Sequence, residues 1–418
     1  MQDSELINKL KYYSENIIPN KFQAVVIGGG PVGGYLANEL CKNGHSVLII
    51  EEHEEIGRPF QCAGLVNPSA MNRVGLKETV LSEIWGANIH SPKGTTVSIG
   101  DPSRVRTFAV CRKLFDEAVV LQSIKNGAEI LLSSKPSDVR LEEDRVLLTI
   151  NSPRGELKIE TKLLCGADGA HSWVRKRFRM GRPSESMIGF QIEVSGYKGD
   201  YGRLDMYTGK NIAPGFFAWA IPSGETTRIG TWSKGGLLNH ISSEECLYNL
   251  MNTPQWNRRF ENCKEIGRFC GLVPSGMVKR PMIERVALFG DAAGICKPTT
   301  GGGIGPGFKQ VDLLLSDLSS AILENNLSEK RMNKISKKMR DVQRDQRRKR
   351  ALRDAFLTEI SEDELEEIFR VWAKPEVTEM INKFGEIENP IPLGLRMLKE
   401  VPEFRKLAGK AAKAVLWG

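Results

Sequence analysis

Regular patterning begins with a short apolar run, QAVVI at 23–27. The glycine loop GGGPVGG follows, then YLANELCKNG, whose apolar residues recur at helical spacing. Gly44 marks a helix end, and SVLII reads as a second buried strand that stops at Glu51. Strand, glycine loop, helix and strand in this order form the first unit of a doubly wound sheet. The pattern is irregular from 57 to about 110. RKLFDEAVVLQSI then predicts a helix, a strand follows near 128–132, and alternating stretches at 137–150 and 156–165 predict a hairpin or meander. From about 186 to 280 alternation dominates (MIGFQIEV, FFAWAIP, TRIGTW), which predicts a mostly β region. RVALFGDAAG at 285–294 is another strand running into a loop. KPTTGGGIGPG comes next, a helix is expected from about 303, and the chain beyond 325 reads as helical.

These elements predict a discontinuous dinucleotide domain, 22–80 with 104–180 and 281–325. A mostly antiparallel β substrate domain, 81–103 with 181–280, is inserted into it. Residues 1–21 form an extension, and 326–418 form a helical, basic C-terminal region. The length of 418 residues is too great for one core and suits two intertwined domains. No apolar stretch is long enough to span a bilayer. The N-terminal segment lacks both an apolar core and a small-residue cleavage pattern, so no export signal is expected.

The eight cysteines (Cys41, Cys62, Cys111, Cys165, Cys246, Cys263, Cys270 and Cys296) form no CxxC pair. That argues against a zinc or iron–sulfur site, and no metal is expected. A reducing cytosol is the expected compartment, with most of these thiols in the core. The net charge of +8 is local: Lys330 to Arg353 holds twelve Lys/Arg against two Asp. Such a run is either a solvated helix face or a surface for an anionic partner.

The chemistry starts at Gly28, Gly30, Pro31 and Gly33. A dinucleotide diphosphate must approach the backbone closely, which glycine alone permits, and a helix N-terminus then faces the phosphates. Glu51, 23 residues after Gly28 and followed by Glu52, sits where a ribose hydroxyl would be accepted. Two further motifs are Gly166-Ala167-Asp168-Gly169 and Leu288-Phe289-Gly290-Asp291. With Arg112 in CRKLFD, they resemble the fingerprints of the flavoproteins related to para-hydroxybenzoate hydroxylase. The resemblance implies FAD and a glutathione-reductase-like two-domain α/β fold with an inserted β substrate domain. It also places Asp291 and Arg112 beside the cofactor and gives Asp168 a part in its binding. From the residues alone, Arg112 and Asp116 also read as a surface pair at i, i+4.

Within that superfamily the chain resembles the geranylgeranyl reductases. Gly57-Arg58-Pro59-Phe60-Gln61-Cys62-Ala63-Gly64-Leu65 is similar to their Cys-containing stretch near the flavin. Pro298 through Gly301, Gly302, Gly303 and Ile304 is similar to their Pro-and-glycine signature. Phe217-Ala218-Trp219-Ala220-Ile221-Pro222 is similar to their Y-x-W-x-F-P motif, with Phe for Tyr at 217 and Ile for Phe at 221. The resemblance covers about 22–320. It implies a reductase that saturates isolated C=C bonds of geranylgeranyl chains, carried on glycerophospholipids, with Phe217, Trp219 and Pro222 lining the substrate tunnel. Ferredoxin or NAD(P)H would be the electron donor. Hydride addition to an unpolarised alkene needs a proton at the neighbouring carbon, and Cys62 is the expected participant. Monooxygenases and halogenases share the same FAD motifs and form the alternative. Prenyl-binding escort proteins without flavin form a third, against which the intact diphosphate and ribose motifs speak.

In EFRKLAGKAAKAVLWG at the C-terminus, Phe404, Leu407, Ala411 and Leu416 oppose Arg405, Lys406, Lys410 and Lys413. This amphipathic helix either lies on anionic lipid, at the inner face of the cell membrane, or packs on the protein body. No nucleic-acid partner is expected.

Overall fold

The computed structural model describes residues 9–59, 62–385 and 391–405. The first strand, Lys21–Ile27, is buried along its apolar half because it lies inside a parallel sheet. Its neighbours are Val47–Ile50 on one side and Gly155–Gly166 on the other, with Glu129–Leu131 and Val286–Leu288 next outward. In this register Ile27 stands beside both Ile50 and Gly166, Gly166 beside Leu288, and Ile50 beside Leu131. The carboxyl ends of these strands are therefore level. The segments that begin at Gly28, Glu51, Ala167 and Phe289 leave the sheet at one edge, where doubly wound sheets bind ligands.

The expected meander is present: Lys135–Leu141, Val146–Ser152 and Gly155–Gly166 pair antiparallel on the same sheet. The irregular stretch from 57 to 110 conceals a short helix, Pro68–Val74, and a three-stranded sheet of Leu65–Val66, Thr107–Val110 and Val80–Ile84. A seven-stranded sheet runs in the order 264–275, 185–195, 226–234, 218–223, 203–207, 86–90, 96–100. Its one parallel pairing joins Arg203–Tyr207 to Gly86–His90.

The C-terminal helices do not stand apart. Glu362–Trp372, Pro375–Phe384 and Ile391–Glu400 pack Leu365, Ile368, Phe369, Val377 and Met397 against Val97, Ile89 and Ile99 of the seven-stranded sheet. The first of these helices starts at a capping box, with Ser361 and Glu364 satisfying each other's backbone N–H groups. Phe404 is buried in this cluster, whereas the rest of the amphipathic segment, from 406 on, lies outside the described residues. Leu10, from the N-terminal extension, is buried against the parallel sheet. Four of the eight thiols are buried (Cys41, Cys165, Cys246 and Cys296), and all eight are free.

Candidate functional site

One cavity of about 1320 Å³ runs from the level strand ends to the inner face of the seven-stranded sheet. That exceeds the roughly 300–1,000 Å³ of an ordinary small-molecule pocket and gives room for two ligands. At its polar end the wall is mostly backbone. Gly28 has φ +105, and a Cβ there would stand 2.4 Å from the Ala167 carbonyl oxygen. A Cβ on Gly33 would stand 2.0 Å from the Gly28 carbonyl, so this glycine serves helix-against-strand packing beneath the loop and does not reach the cavity wall. Gly30 differs from both. It lies on the wall, and no atom comes within 4 Å of where its Cβ would be. The helix Pro31–Lys42 begins there without a side-chain cap, so its N-terminal end faces open space suited to an anion.

Glu51 turns back toward this loop. Its Oε2 accepts the Gly29 N–H at 2.7 Å, and its Oε1 accepts the His53 backbone N–H at 3.0 Å and the His53 Nδ1–H at 2.5 Å. Burial disfavours the charged carboxylate, but these donors hold it below its usual range, and Glu51 in turn raises the His53 imidazole. Asp168 accepts the Val174 N–H through Oδ2, while its buried Oδ1 has no protein partner. Glu52, His53 and His171 complete this part of the wall.

Deeper in, Arg112 grips Asp116 through two hydrogen bonds, Nε to Oδ1 at 2.9 Å and Nη2 to Oδ2 at 2.6 Å. The pair is buried and faces the cavity, which corrects the surface-pair reading. Burial acts against the guanidinium charge, but Asp116 and the Cys62 sulfur beside it raise its pKa overall. The Cys62 sulfur also accepts the Gly64 N–H at 3.4 Å. Asp291 accepts the Cys296 thiol at 2.9 Å, and burial together with Asp291 keeps that thiol protonated. Gly301, with φ +69, presses flat on Trp232, where any Cβ would fall 1.7 Å from the ring. Thr299 to Ile304 then carry the wall to the N-terminus of the helix Ile304–Leu323, which also lacks a side-chain cap.

These features fit FAD. Gly30 leaves the space a diphosphate needs, Glu51 and the unsatisfied Asp168 oxygen offer acceptors to sugar hydroxyls, and Asp291 lines the same wall. Of the residues expected at the cofactor, Gly28, Gly30, Pro31, Glu51, Glu52, Arg58, Cys62, Ala63, Arg112, Asp168, Gly290, Asp291, Gly301, Gly302, Gly303 and Ile304 share this wall. Pro298 does not. It is buried behind the loop, and its carbonyl accepts from Arg353 at 2.9 Å, so the expectation of a proline wall gives way to one of backbone at 299–303.

The other end of the cavity is apolar. Phe217, Trp219 and Ile221 line it, whereas Pro222 projects to the opposite face, as the two-residue period of a strand requires. Trp219 meets Trp232 edge-on at 5.0 Å. Facing this sheet are residues that the sequence reading assigned no role: Leu352, Arg353, Phe356, Leu365, Phe369 and Trp372. The spacing of the apolar ones signals a helix stripe, but nothing in the sequence says which surface the stripe covers.

Residues 21–345 match the FAD binding domain family. Digeranylgeranylglycerophospholipid reductase 2 of Methanothermobacter thermautotrophicus is 31% identical over 293 residues, covering 68% of this chain and 74% of that protein. Digeranylgeranylglycerophospholipid reductase 1 of Methanococcoides burtonii is 30% identical over 332 residues, covering 77% and 80%. Among solved structures, a geranylgeranyl bacteriochlorophyll reductase-like protein from Thermoplasma acidophilum has a TM-score of 0.82 at 23% identity, covering 94% of this chain and 99% of that one. A flavin-dependent brominase has a TM-score of 0.71 at 18% identity, covering 92% and 100%. Both structural likenesses concern the fold.

Proposed function

We propose, for a chain that belongs to the FAD binding domain family and within it to the digeranylgeranylglycerophospholipid reductases, FAD-dependent saturation of isolated C=C bonds in geranylgeranyl chains of a glycerophospholipid. The observation that carries this reading is the continuity of one cavity from a backbone-lined polar end to a long apolar end. A prenyl chain gains about 0.8 kcal/mol for each methylene it buries, so the apolar end suffices to draw it in without polar contacts.

Bound in its reduced form, FAD supplies the hydride. The chain supplies the rest. The Gly28–Gly33 loop and the helix behind it hold the diphosphate, Glu51 with His53 behind it holds the ribose, and Asp168 and Asp291 take the remaining sugar hydroxyls. Phe217, Trp219 and Trp232 on one side and Phe356 and Phe369 on the other exclude water and align the alkene. Cys62 Sγ delivers the proton to the carbon next to the one that receives hydride, and the Arg112 guanidinium beside it meets the charge left on sulfur.

Among the described residues no helix is long and apolar enough to cross a membrane. Exposed Lys334, Lys337, Arg340, Arg347 and Arg348 support peripheral contact with anionic lipid and docking of an acidic electron donor such as ferredoxin, with NAD(P)H as the other donor. Co-sedimentation with acidic vesicles at low salt tests the lipid contact, and absence of binding removes it.

The function itself is tested by mixing anaerobically reduced protein with digeranylgeranyl glycerophospholipid. The yellow colour is expected to return as the lipid gains two hydrogens for each flavin oxidised. A protein that leaves this lipid unchanged, yet consumes oxygen with NAD(P)H and hydroxylates or halogenates an aromatic compound, would move the assignment to the monooxygenases and halogenases.

A further inference from the structure

Of the buried polar residues of the basic helix Arg340–Leu357, Gln346 and Arg353, seven positions apart, close on the same loop. Gln346 Nε2 donates to the carbonyls of Gly294 at 3.1 Å and Cys296 at 3.0 Å, while its Oε1 accepts the Met277 N–H at 3.0 Å. Arg353 uses all five of its guanidinium N–H groups. Nη1 donates to Glu185 Oε1 at 2.8 Å and to the Pro298 carbonyl at 2.9 Å. Nη2 donates to Glu185 Oε2 at 2.6 Å and to Asp354 Oδ1 at 2.6 Å, and Nε donates to the same Asp354 oxygen at 3.1 Å. Its side chain is 2% exposed. With Lys234 3.4 Å from Asp354 and Arg350 3.7 Å from Glu185, three cations face the two carboxylates.

What these two side chains hold is the segment that leads into the cavity wall. Past Pro298 the loop is closed on itself by Gly301 N–H to the Lys297 carbonyl at 2.9 Å and Lys297 N–H to the Gly302 carbonyl at 3.1 Å. Its far side rests on Trp232. A loop this rich in glycine has many conformations open to it, and only outside contacts select one. Three carbonyls in five residues, at 294, 296 and 298, are gripped from a single helix face.

We propose that Arg353, with Gln346, is a positioning residue for the cofactor. Together they clamp the 294–303 loop in the shape that receives the flavin ring, so flavin binding depends on a helix that runs past residue 345, where the match to the FAD binding domain family ends. The proposal goes beyond the prenyl-reductase reading, and its test involves no prenyl lipid, so either can fail alone.

The experiment is FAD titration of the full-length apoprotein, followed by fluorescence, with the visible spectrum of the reconstituted protein as the second readout. Arg353→Leu alone takes both of its hydrogen bonds from the buried Glu185 carboxylate, leaves it only Arg350 at 3.7 Å and Lys234 at 3.9 Å among the described residues, and can unfold the chain. The informative variants are therefore the double Glu185→Leu/Arg353→Leu, which removes both charges, and Arg353→Lys, which keeps the ion pair but cannot span Glu185 and the Pro298 carbonyl together. Both are expected to melt cooperatively as apoproteins. The double variant should bind FAD about tenfold or more weaker, with Arg353→Lys between it and wild type. Both should show a shifted flavin band and faster amide exchange at Gly301–Gly303. Wild-type FAD affinity and spectrum in folded Arg353→Lys, or in the folded double variant, would overturn the proposal.

Discussion

The two ends of the cavity are built on opposite principles. At the polar end recognition comes from the backbone: glycines at 28, 30 and 301–303, open helix N-termini, and a few carboxylates fixed at strand ends. At the apolar end it comes from side chains alone, contributed by a sheet of residues 86–275 and by helices of 352–393 that meet only in three dimensions. Backbone recognition requires particular residues at particular spacings. Side-chain burial requires only enough apolar volume in the right place. The first should therefore fail at single positions, and the second should erode gradually.

The sharpest way to break this contrast is Gly30→Val. Its Cβ meets no protein atom within 4 Å, and the backbone at φ −70 and ψ 178 accepts valine. The variant is expected to fold and melt like wild type yet purify colourless, with FAD affinity down by about 100-fold or more as the side chain fills the diphosphate space. Dissociation constants with thermal melts check it, and a yellow Gly30→Val protein would count against the diphosphate placement.

Next in size is Cys62, which lies on the cavity wall beside Arg112. Cys62→Ala should retain FAD and lose about 100-fold in kcat, and Cys62→Ser should recover part of that. Full turnover in both variants would leave Cys62 as a packing thiol. Smaller again is Phe356→Ala, which removes one apolar face and leaves the flavin spectrum unchanged. kcat/KM for a geranylgeranyl lipid should fall by about tenfold, and the fall should shrink for shorter prenyl chains. A loss of bound FAD in this variant would blur the proposed division.

The smallest effect concerns pH. The His53 pKa is raised chiefly by its hydrogen bond to Glu51, with burial opposing, so the pair stabilises the fold fully below the unfolded histidine value. That contribution disappears as pH rises through the raised folded value. The lowered Glu51 value works at the other limit, where its stabilisation is lost as pH falls through it. Because the His53 side chain is 39% exposed, the alkaline loss is on the order of 0.5 kcal/mol after solvent screening. Melting temperatures of His53→Ala and wild type should converge above neutrality and separate below it.

The same contrast governs what was legible in the sequence. Gly28, Gly30, Glu51, Asp168 and Asp291 could be grouped from the sequence because their motifs fall at strand ends, and the level strand ends bring them to one wall, whereas Gly33 packs beneath the loop. Pro222 was misplaced because a motif names residues without assigning them to a strand face. Pro298 was misplaced because it is buried off the cavity wall, with its carbonyl taken by Arg353. Phe356, Phe369 and Trp372 went unread because an apolar helix stripe has the same appearance over any core. Arg353 was hidden in a charge run that read as a surface, although five of its contacts lie inside the protein.

The most direct test is to photo-cross-link a geranylgeranyl glycerophospholipid carrying a photoreactive group at the chain terminus, on FAD-loaded protein, with the labelled peptides read by mass spectrometry. Label is predicted on both walls of the apolar end, in Phe217–Trp232 and in Leu352–Trp372, and it should be suppressed by excess unlabelled lipid. Label confined to the outer surface, or to the segments around Gly28 and Asp168, would contradict the shared cavity on which the proposed chemistry depends.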